Sequence, residues 1–237
     1  MQLAMWSGPR NLSTAMMYAF ASRSDFSAVD EPFYAAYLNL TGLHHPMRDQ
    51  ILQAQSQEPY QVVDDLLGPN PEGRSNVYHK HMTQHMIEAI PRDWMLKVTN
   101  VFLIRHPARV VASFAKKYPD PKIEDIGFHQ QADLFRYLVE NGQKPIVINS
   151  ADIRSNPKQK LRDLCGALGL TFDANMLKWT KGGQSCDGVW APHWYGAVHN
   201  STSFDAAEGP LPILSGRLLE LVDQSLKSYE ELAQYSL

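Results

Sequence analysis

Four short stretches of this chain hold residue types that could do chemistry together. The first is Trp6-Ser7-Gly8-Pro9-Arg10-Asn11-Leu12-Ser13-Thr14, where an apolar run gives way to a loop and then to an unbroken helix-forming stretch. A helix that starts here turns its unpaired first-turn N–H groups back on the loop, an arrangement that binds anions. Arg10 adds a permanent cation, and Ser13 and Thr14 add hydroxyls. Together with the backbone amides they could hold a terminal phosphate and its neighbour without a metal. Ser13 could equally be a plain helix cap, with Arg10 in a surface contact.

The phosphate-loop pattern G-x-x-x-x-G-K-[ST] is the obvious comparison. Laid on the chain from Gly8, it meets Ser13 in place of the second glycine, Thr14 in place of the lysine and Ala15 in place of the Ser/Thr. The lysine that reaches the β- and γ-phosphates and the hydroxyl that holds Mg²⁺ are both missing, which argues against a magnesium-dependent NTPase.

The second stretch, Phe102 to Phe114, reads as a strand ending in Arg105 and a helix opened by Pro107, with Ser113 eight positions after the arginine. Arg105 then stands at the C-terminal edge of a strand, where open α/β sheets bind ligands. A structural ion pair is the competing reading. The third and fourth stretches are Asp30-Glu31-Pro32-Phe33, whose proline biases Glu31 toward an extended strand-edge conformation, and Val77 to Met86, with Lys80 among three histidines.

Positioning these groups requires strands that alternate with helices. Apolar runs at Gln2–Trp6, Phe26–Val29, Val101–Arg105 and Pro145–Asn149 predict buried strands of a parallel sheet. Amphipathic patterns predict helices at Ser13–Ser22, Ala108–Lys117, Ile123–Asn141, Pro157–Leu168 and Ile213–Gln234. The expected fold class is α/β, three-layered, with a mostly parallel central sheet flanked by helices. One domain spanning 1–237 is expected, with a possible lid or insertion of short helices and loops at 41–75 and a long functional loop at 178–212.

Bulk properties narrow the function. The 237 residues carry a net charge of −3, so neither nucleic acid nor an anionic membrane is attracted globally. No basic stripe points to nucleic acid. No apolar run approaches the about 20 residues of a membrane helix, and the N-terminus has no signal-peptide layout. Two cysteines, Cys165 and Cys186, lack metal-ligand spacing and read as reduced thiols. A soluble cytoplasmic protein is expected. Oligomeric state is left open, a homodimer among the options.

The two phosphate-type motifs, in this order and each between strand and helix, resemble the sulfotransferase superfamily, whose members use 3′-phosphoadenosine 5′-phosphosulfate (PAPS) as sulfuryl donor. The Asp30-Glu31-Pro32-Phe33 element is similar to one in bacterial sulfotransferase-like proteins. The resemblance implies a P-loop NTPase-like fold of the sulfotransferase type and no metal. It implies a 5′-phosphosulfate loop of Arg10, Asn11, Leu12, Ser13 and Thr14, a 3′-phosphate site of Arg105 and Ser113, and a basic element of Lys181 and Gly182 over the adenosine end. It also implies Arg10 at the bridging oxygen and Glu31 as the base, since family members that use a glutamate place it after strand two. A structural carboxylate paired with a cation is the competing role for Glu31.

Animal cytosolic sulfotransferases carry a K-x-H element with a sulfonate-binding lysine and a histidine base. Here His81 follows Lys80 directly, so Lys80 is a candidate second cation and His81 an alternative base at the wrong spacing. His79, His81 and His85 have no accompanying cysteine, and a zinc site is the weaker reading beside polar residues at a pocket mouth. Trp190, His193, Trp194 and Tyr195 could wall an acceptor pocket, stack adenine, or pack under the long loop.

The expected function is therefore metal-independent sulfuryl transfer from PAPS to a hydroxyl or amine of a small-molecule acceptor, leaving adenosine 3′,5′-bisphosphate. The alternatives are a non-catalytic adenosine-bisphosphate-binding protein and a divergent nucleotide kinase or NTPase of the same fold.

Overall fold

A computed structural model describes residues 1–70 and 72–237. Five strands form one sheet: β1 (Gln2–Ser7), β2 (Phe26–Asp30), β3 (Asn76–Met82), β4 (Thr99–Ile104) and β5 (Ile146–Asn149). Their order is β2-β3-β1-β4-β5, and every pairing is parallel. Parallel neighbours need crossovers, and the helices supply them on both faces. The first four are α1 (Ser13–Ala21), α2 (Tyr34–Thr41), α3 (Arg48–Ala54) and α4 (Pro59–Leu67). After β4 come α5 (Pro107–Ala115), α6 (Ile123–Ile126) and α7 (Phe128–Glu140). After β5 come α8 (Ser150–Ser155), α9 (Pro157–Ala167), α10 (Ala191–Trp194), α11 (Gly196–His199) and α12 (Gly216–Ala233).

Strand β1 shows why the sheet is covered twice. Leu3 and Met5 point into a core built with α1, α2 and α9, while Ala4 and Trp6 point into a second core built with α4, α7 and α12. All four are wholly buried, as a central parallel strand demands.

Two features depart from the sequence expectation. Strand β3, central between β2 and β1, is absent from the expected strands, because its Tyr78-His79-Lys80-His81 run is polar by composition. The single helix expected over Ile123–Asn141 is two, α6 and α7, separated at Gly127 with φ 71°. A β-carbon there would lie 2.8 Å from Thr83 Oγ1, so the left-handed bend and the close approach both require glycine. The 41–75 segment, of which Pro71 lies outside the described residues, contains α3 and α4. No described helix is long and apolar enough to cross a membrane.

Candidate functional site

In a parallel sheet every strand delivers its C-terminal end to the same edge, and the ligand crevice opens there. The chain follows that rule: a cavity of about 550 Å³ is walled by residues that leave the ends of all five strands.

From β1 comes the loop Gly8–Leu12. A β-carbon on Gly8 would sit 2.5 Å from the Ile126 carbonyl oxygen, so the loop can pass only as glycine. Arg10 and Leu12 take positive φ angles of 62° and 68°, conformations uncommon for residues with a β-carbon. Backbone strain of this kind concentrates at functional sites. The result is a loop that curls around the start of α1, with Pro9 to Ala15 all in the cavity wall. Leu12 occupies the position before α1 and Ser13 is the first helical residue, so Ser13 does not cap the helix with its side chain. Arg10 Nε donates to Ser113 Oγ at 2.9 Å, and the Arg10 carbonyl accepts from Arg105 at 2.6 Å. The two motifs, some hundred residues apart, thus form one bonded unit.

From β2 and β3 comes a buried charge cluster. The Glu31 N–H donates to the Lys80 carbonyl at 2.9 Å, extending the sheet by one bond. Glu31 itself has φ 41°, in the left-handed region and not the extended conformation expected ahead of Pro32, because the chain turns here into α2 with the Tyr34 N–H donating to the Glu31 carbonyl. Lys80 Nζ donates to Glu31 Oε1, to Asp30 Oδ1 at 2.9 Å and to Tyr195 Oη at 2.8 Å. Tyr195 Oη in turn donates to Asp30 Oδ2 at 2.7 Å and accepts from Trp190 Nε1 at 2.9 Å. Burial pushes the Glu31 carboxyl above the usual carboxylate range; Asp30 adds to this and Lys80 opposes it. Burial works against the Lys80 charge, but Asp30 and Glu31 outweigh it and hold the ammonium firmly protonated. Glu31 lies in the cavity wall beside Lys80, so the carboxyl with the raised affinity for a proton is one a ligand can reach.

His85 joins this end of the cavity. Its ring stacks between Tyr34 and Tyr37, at centroid distances of 4.6 and 4.8 Å, and its Nε2 lies 3.9 Å from Glu31 Oε2. Burial, with His45 and Lys80 nearby, drives its pKa well below the usual histidine value, so it is neutral.

From β4 and β5 comes an arginine cluster. Arg105 NH2 donates to Glu208, Arg154 NH1 donates to Glu208 Oε1 at 3.0 Å, and Arg109 Nε stands 2.9 Å from Glu208 Oε2. One carboxylate from the C-terminal loop therefore ties together three guanidinium groups.

The structure brings Arg10, Asn11, Leu12, Ser13, Thr14, Glu31, Lys80, Arg105 and Ser113 to one cavity. It does not bring His81, Lys181 or Gly182. Side chains alternate along a strand, so His79 and His81 point away from the face that carries Lys80. His81 is buried against Trp6, stacked at 4.4 Å, and burial depresses its pKa well below the usual value. It has no path to a substrate proton. Lys181 is exposed, and the Gly182 N–H donates to the His199 carbonyl at 2.9 Å, with neither residue in the cavity wall. The three histidines of the 77–86 run do not converge, and among the described residues no group of three or more His, Cys, Asp or Glu could hold a metal ion. Of the three histidines read as pocket-mouth residues, His85 alone stands in the cavity wall, and sequence reasoning missed Asp30, Arg154 and Glu208. For Asp30 the signal was there, beside Glu31 at a strand end. For Arg154 and Glu208 there was none, since their partners are distant in the chain.

Fold and site together define a three-layer α/β protein with a glycine-bearing, arginine-bearing loop between the first strand and helix of a parallel sheet. The sequence profile of the sulfotransferase domain family matches residues 1–233, and the chain belongs to that family. Two Arabidopsis thaliana proteins are similar in sequence. Branched-chain-amino-acid aminotransferase-like protein 1 is 35% identical over 230 residues, covering 97% of this chain and 41% of the relative. Branched-chain-amino-acid aminotransferase-like protein 2 is 33% identical over 227 residues, covering 96% and 40%. The chain thus spans about two fifths of the length of these relatives. Among solved structures, the sulfotransferase domain of the Synechococcus PCC 7002 olefin synthase superposes with a TM-score of 0.57 at 14% identity, covering 94% of both chains. The sulfotransferase domain from the curacin biosynthetic pathway superposes at 0.55, with 17% identity, 94% of this chain and 96% of the other. These two show the shared fold.

Proposed function

We propose that this chain transfers a sulfuryl group from PAPS to a hydroxyl or amine of a small-molecule acceptor, with adenosine 3′,5′-bisphosphate as the other product. The reading rests on one observation above the others: the Arg10 loop, the Arg105–Ser113 pair and the Glu31 carboxyl share a single cavity.

The first-turn amides of α1 and Arg10 would hold the 5′ end of the donor. As the acceptor oxygen or nitrogen bonds to sulfur and the sulfur–oxygen bond to the 5′-phosphate breaks, negative charge grows on the oxygen that leaves. Arg10 would neutralise it, being always protonated and able to fork onto two oxygens. Glu31 would take the acceptor's proton. Its raised affinity for a proton suits that task, because a general base works best when its pKa approaches the working pH. Lys80, with its three ammonium hydrogens donated to Glu31, Asp30 and Tyr195, would act through Glu31, fixing the carboxylate in place. Tyr34, Tyr118 and Trp194 would wall the acceptor side.

The deciding experiment is a calorimetric titration with adenosine 3′,5′-bisphosphate beside ATP with Mg²⁺, on the natural chain and on Arg105→Ala. Micromolar, metal-independent bisphosphate binding that disappears in Arg105→Ala supports the reading. Preference for ATP with Mg²⁺, or no binding of either nucleotide, overturns it.

A further inference from the structure

We propose that the sulfuryl acceptor is an alcohol that carries an ammonium group some atoms away from its hydroxyl, the hydroxyl meeting Glu31 and the ammonium meeting Asp125 at the far end of an aromatic wall. The chemistry at Glu31 rests on the PAPS reading above; the ammonium site does not.

The cavity holds these two carboxylates apart. Glu31 follows β2, and Asp125 is the third residue of α6, exposed at the cavity mouth. Two stacked rings lead away from Glu31: His85 Nε2 is 3.9 Å from Glu31 Oε2, and Tyr37 stacks on His85 at 4.8 Å. Burial raises the Tyr34 pKa, and Glu31 adds to it. Burial also raises the Tyr37 and Tyr118 pKa values, but there the added charge is Asp125. Each carboxylate thus acts on its own end of the aromatic wall.

Two independent observations point to an ammonium at the Asp125 end. The first is a pair of oxygens without partners. Asn11, 1% exposed, and the half-buried Gln84 both line the cavity, and neither Asn11 Oδ1 nor Gln84 Oε1 has a hydrogen-bond partner. Both side chains stand against α6 and its end. A β-carbon on Gly127 would lie 3.2 Å from Gln84 Oε1, and one on Gly8 would lie 2.5 Å from the Ile126 carbonyl oxygen and 3.7 Å from Asn11 Nδ2. Amide oxygens only accept hydrogen bonds, so the partner they lack is an N–H or O–H donor.

The second is charge. The Asp125 carboxylate accepts the Lys122 N–H at 2.8 Å, its only hydrogen bond among the described residues. Burial keeps His45 neutral against the pull of Asp125, and it keeps His85 neutral as well. The lysines and arginines of the wall are committed elsewhere: Lys80 to Asp30 and Glu31, Arg10 to Ser113, and Arg105 and Arg154 to Glu208. Lys117 lies outside the wall, bonded to the His193 carbonyl at 2.8 Å and 5.3 Å from the Trp194 ring centre. A carboxylate beside tyrosines with no cation of its own complements an ammonium, which gains both the charge and the aromatic contact. In the reaction the hydroxyl oxygen bonds to sulfur, the sulfur–oxygen bond to the 5′-phosphate breaks and the hydroxyl proton passes to Glu31. The ammonium is untouched and serves as a handle.

The test follows 6-amino-1-hexanol, 1-hexanol and 6-hydroxyhexanoate by ligand-observed NMR on the full chain without nucleotide. The natural chain is expected to bind the amino alcohol about 5-fold more tightly than hexanol, and the hydroxy acid most weakly. Asp125→Asn, which keeps an oxygen for the Lys122 N–H, is expected to bring the amino alcohol and hexanol level. Asp125→Lys should rank the hydroxy acid first, and Gln84→Leu should cut the amino alcohol's preference about 2-fold. Level binding by the natural chain, preference for the hydroxy acid, no binding of any of the three, or a preference that survives Asp125→Asn overturns the proposal. If the Asp125 variants do not fold, salt decides on the natural chain: a preference erased by about 1 M NaCl upholds the site, and one that persists overturns it. The bisphosphate titration judges the PAPS reading separately. An Asp125-dependent ammonium preference without bisphosphate binding sinks that reading and keeps this site. With PAPS, the product is expected to carry its sulfate on oxygen; sulfate on nitrogen would reverse the two ends and overturn the placement.

Discussion

The two ends of the cavity are charge clusters of opposite composition. At the β2–β3 end one ammonium, Lys80, meets two carboxylates, Asp30 and Glu31, with side chains 1%, 1% and 9% exposed. At the β4–β5 end one carboxylate, Glu208, meets three guanidiniums, its own side chain 4% exposed and theirs 17–20%. The first cluster lies in a dry setting, and burial, with Asp30 adding and Lys80 opposing, raises the proton affinity of the carboxyl that faces the cavity. The second carries a surplus of positive charge nearer to water, which favours an incoming anion without ionising anything. One end concentrates buried carboxylates and the other guanidiniums, so opposite charge balances meet on one strand edge of a single crevice.

The largest expected effect lies at the dry end. Lys80→Met removes the shared cation and strands two buried carboxylates, so urea unfolding should show a loss of about 3–5 kcal/mol. A loss below about 1 kcal/mol would mean the carboxylates are not held by Lys80, and the contrast between the ends would collapse. Next comes chemistry without stability. Glu31→Gln keeps the shape and removes the base, so turnover of any acceptor found should fall on the order of 10²-fold or more, with bisphosphate affinity unchanged. Turnover that survives Glu31→Gln would leave the acidic end a structural device.

The cationic end should respond more mildly to loss of its shared group. Glu208→Ala leaves three neighbouring arginines, but water screens them, and a cost of about 2 kcal/mol is expected. A drop as large as that for Lys80→Met would show that solvent access does not separate the two clusters.

Per residue and per pH unit, the smallest effect is graded with pH. His79, His81 and His85 are buried and neutral, with His79 pushed down to about 4. The unfolded chain binds protons at histidine near pH 6.5 and the folded chain does not, so stability is lost as pH falls below about 6.5, by up to about 1.4 kcal/mol per pH unit for each histidine. Thermal midpoints between pH 7.5 and 5 check this, and His79→Gln should flatten the slope.

Much of this arrangement is legible in the amino-acid sequence. The loop after β1, the strand ending at Arg105 and the glutamate after β2 all announce themselves by local pattern, because strand ends, prolines and helix starts are short-range features. Strand β3 is hidden because the hydrophobic alternation that marks a strand fails when a central strand buries histidines and a lysine. The helix break at Gly127 is hidden because the atom that forbids a β-carbon there, Thr83 Oγ1, is more than forty residues away.

Local sequence therefore determined the alternation of strands and helices apart from β3, the loop with Arg10 before α1, and the placement of Glu31 and Arg105 at strand ends. Tertiary structure alone decided which side of β3 meets the cavity. Strand side chains alternate, so Lys80 and its two flanking histidines must face opposite ways, and only the packed sheet says which of them a ligand can touch. It likewise decided that Lys80 would meet Tyr195 and that Glu208 would bind three arginines. Those partners lie 115 residues and as many as 103 residues apart in the chain, and a buried charge takes whichever opposite charge the fold brings to it.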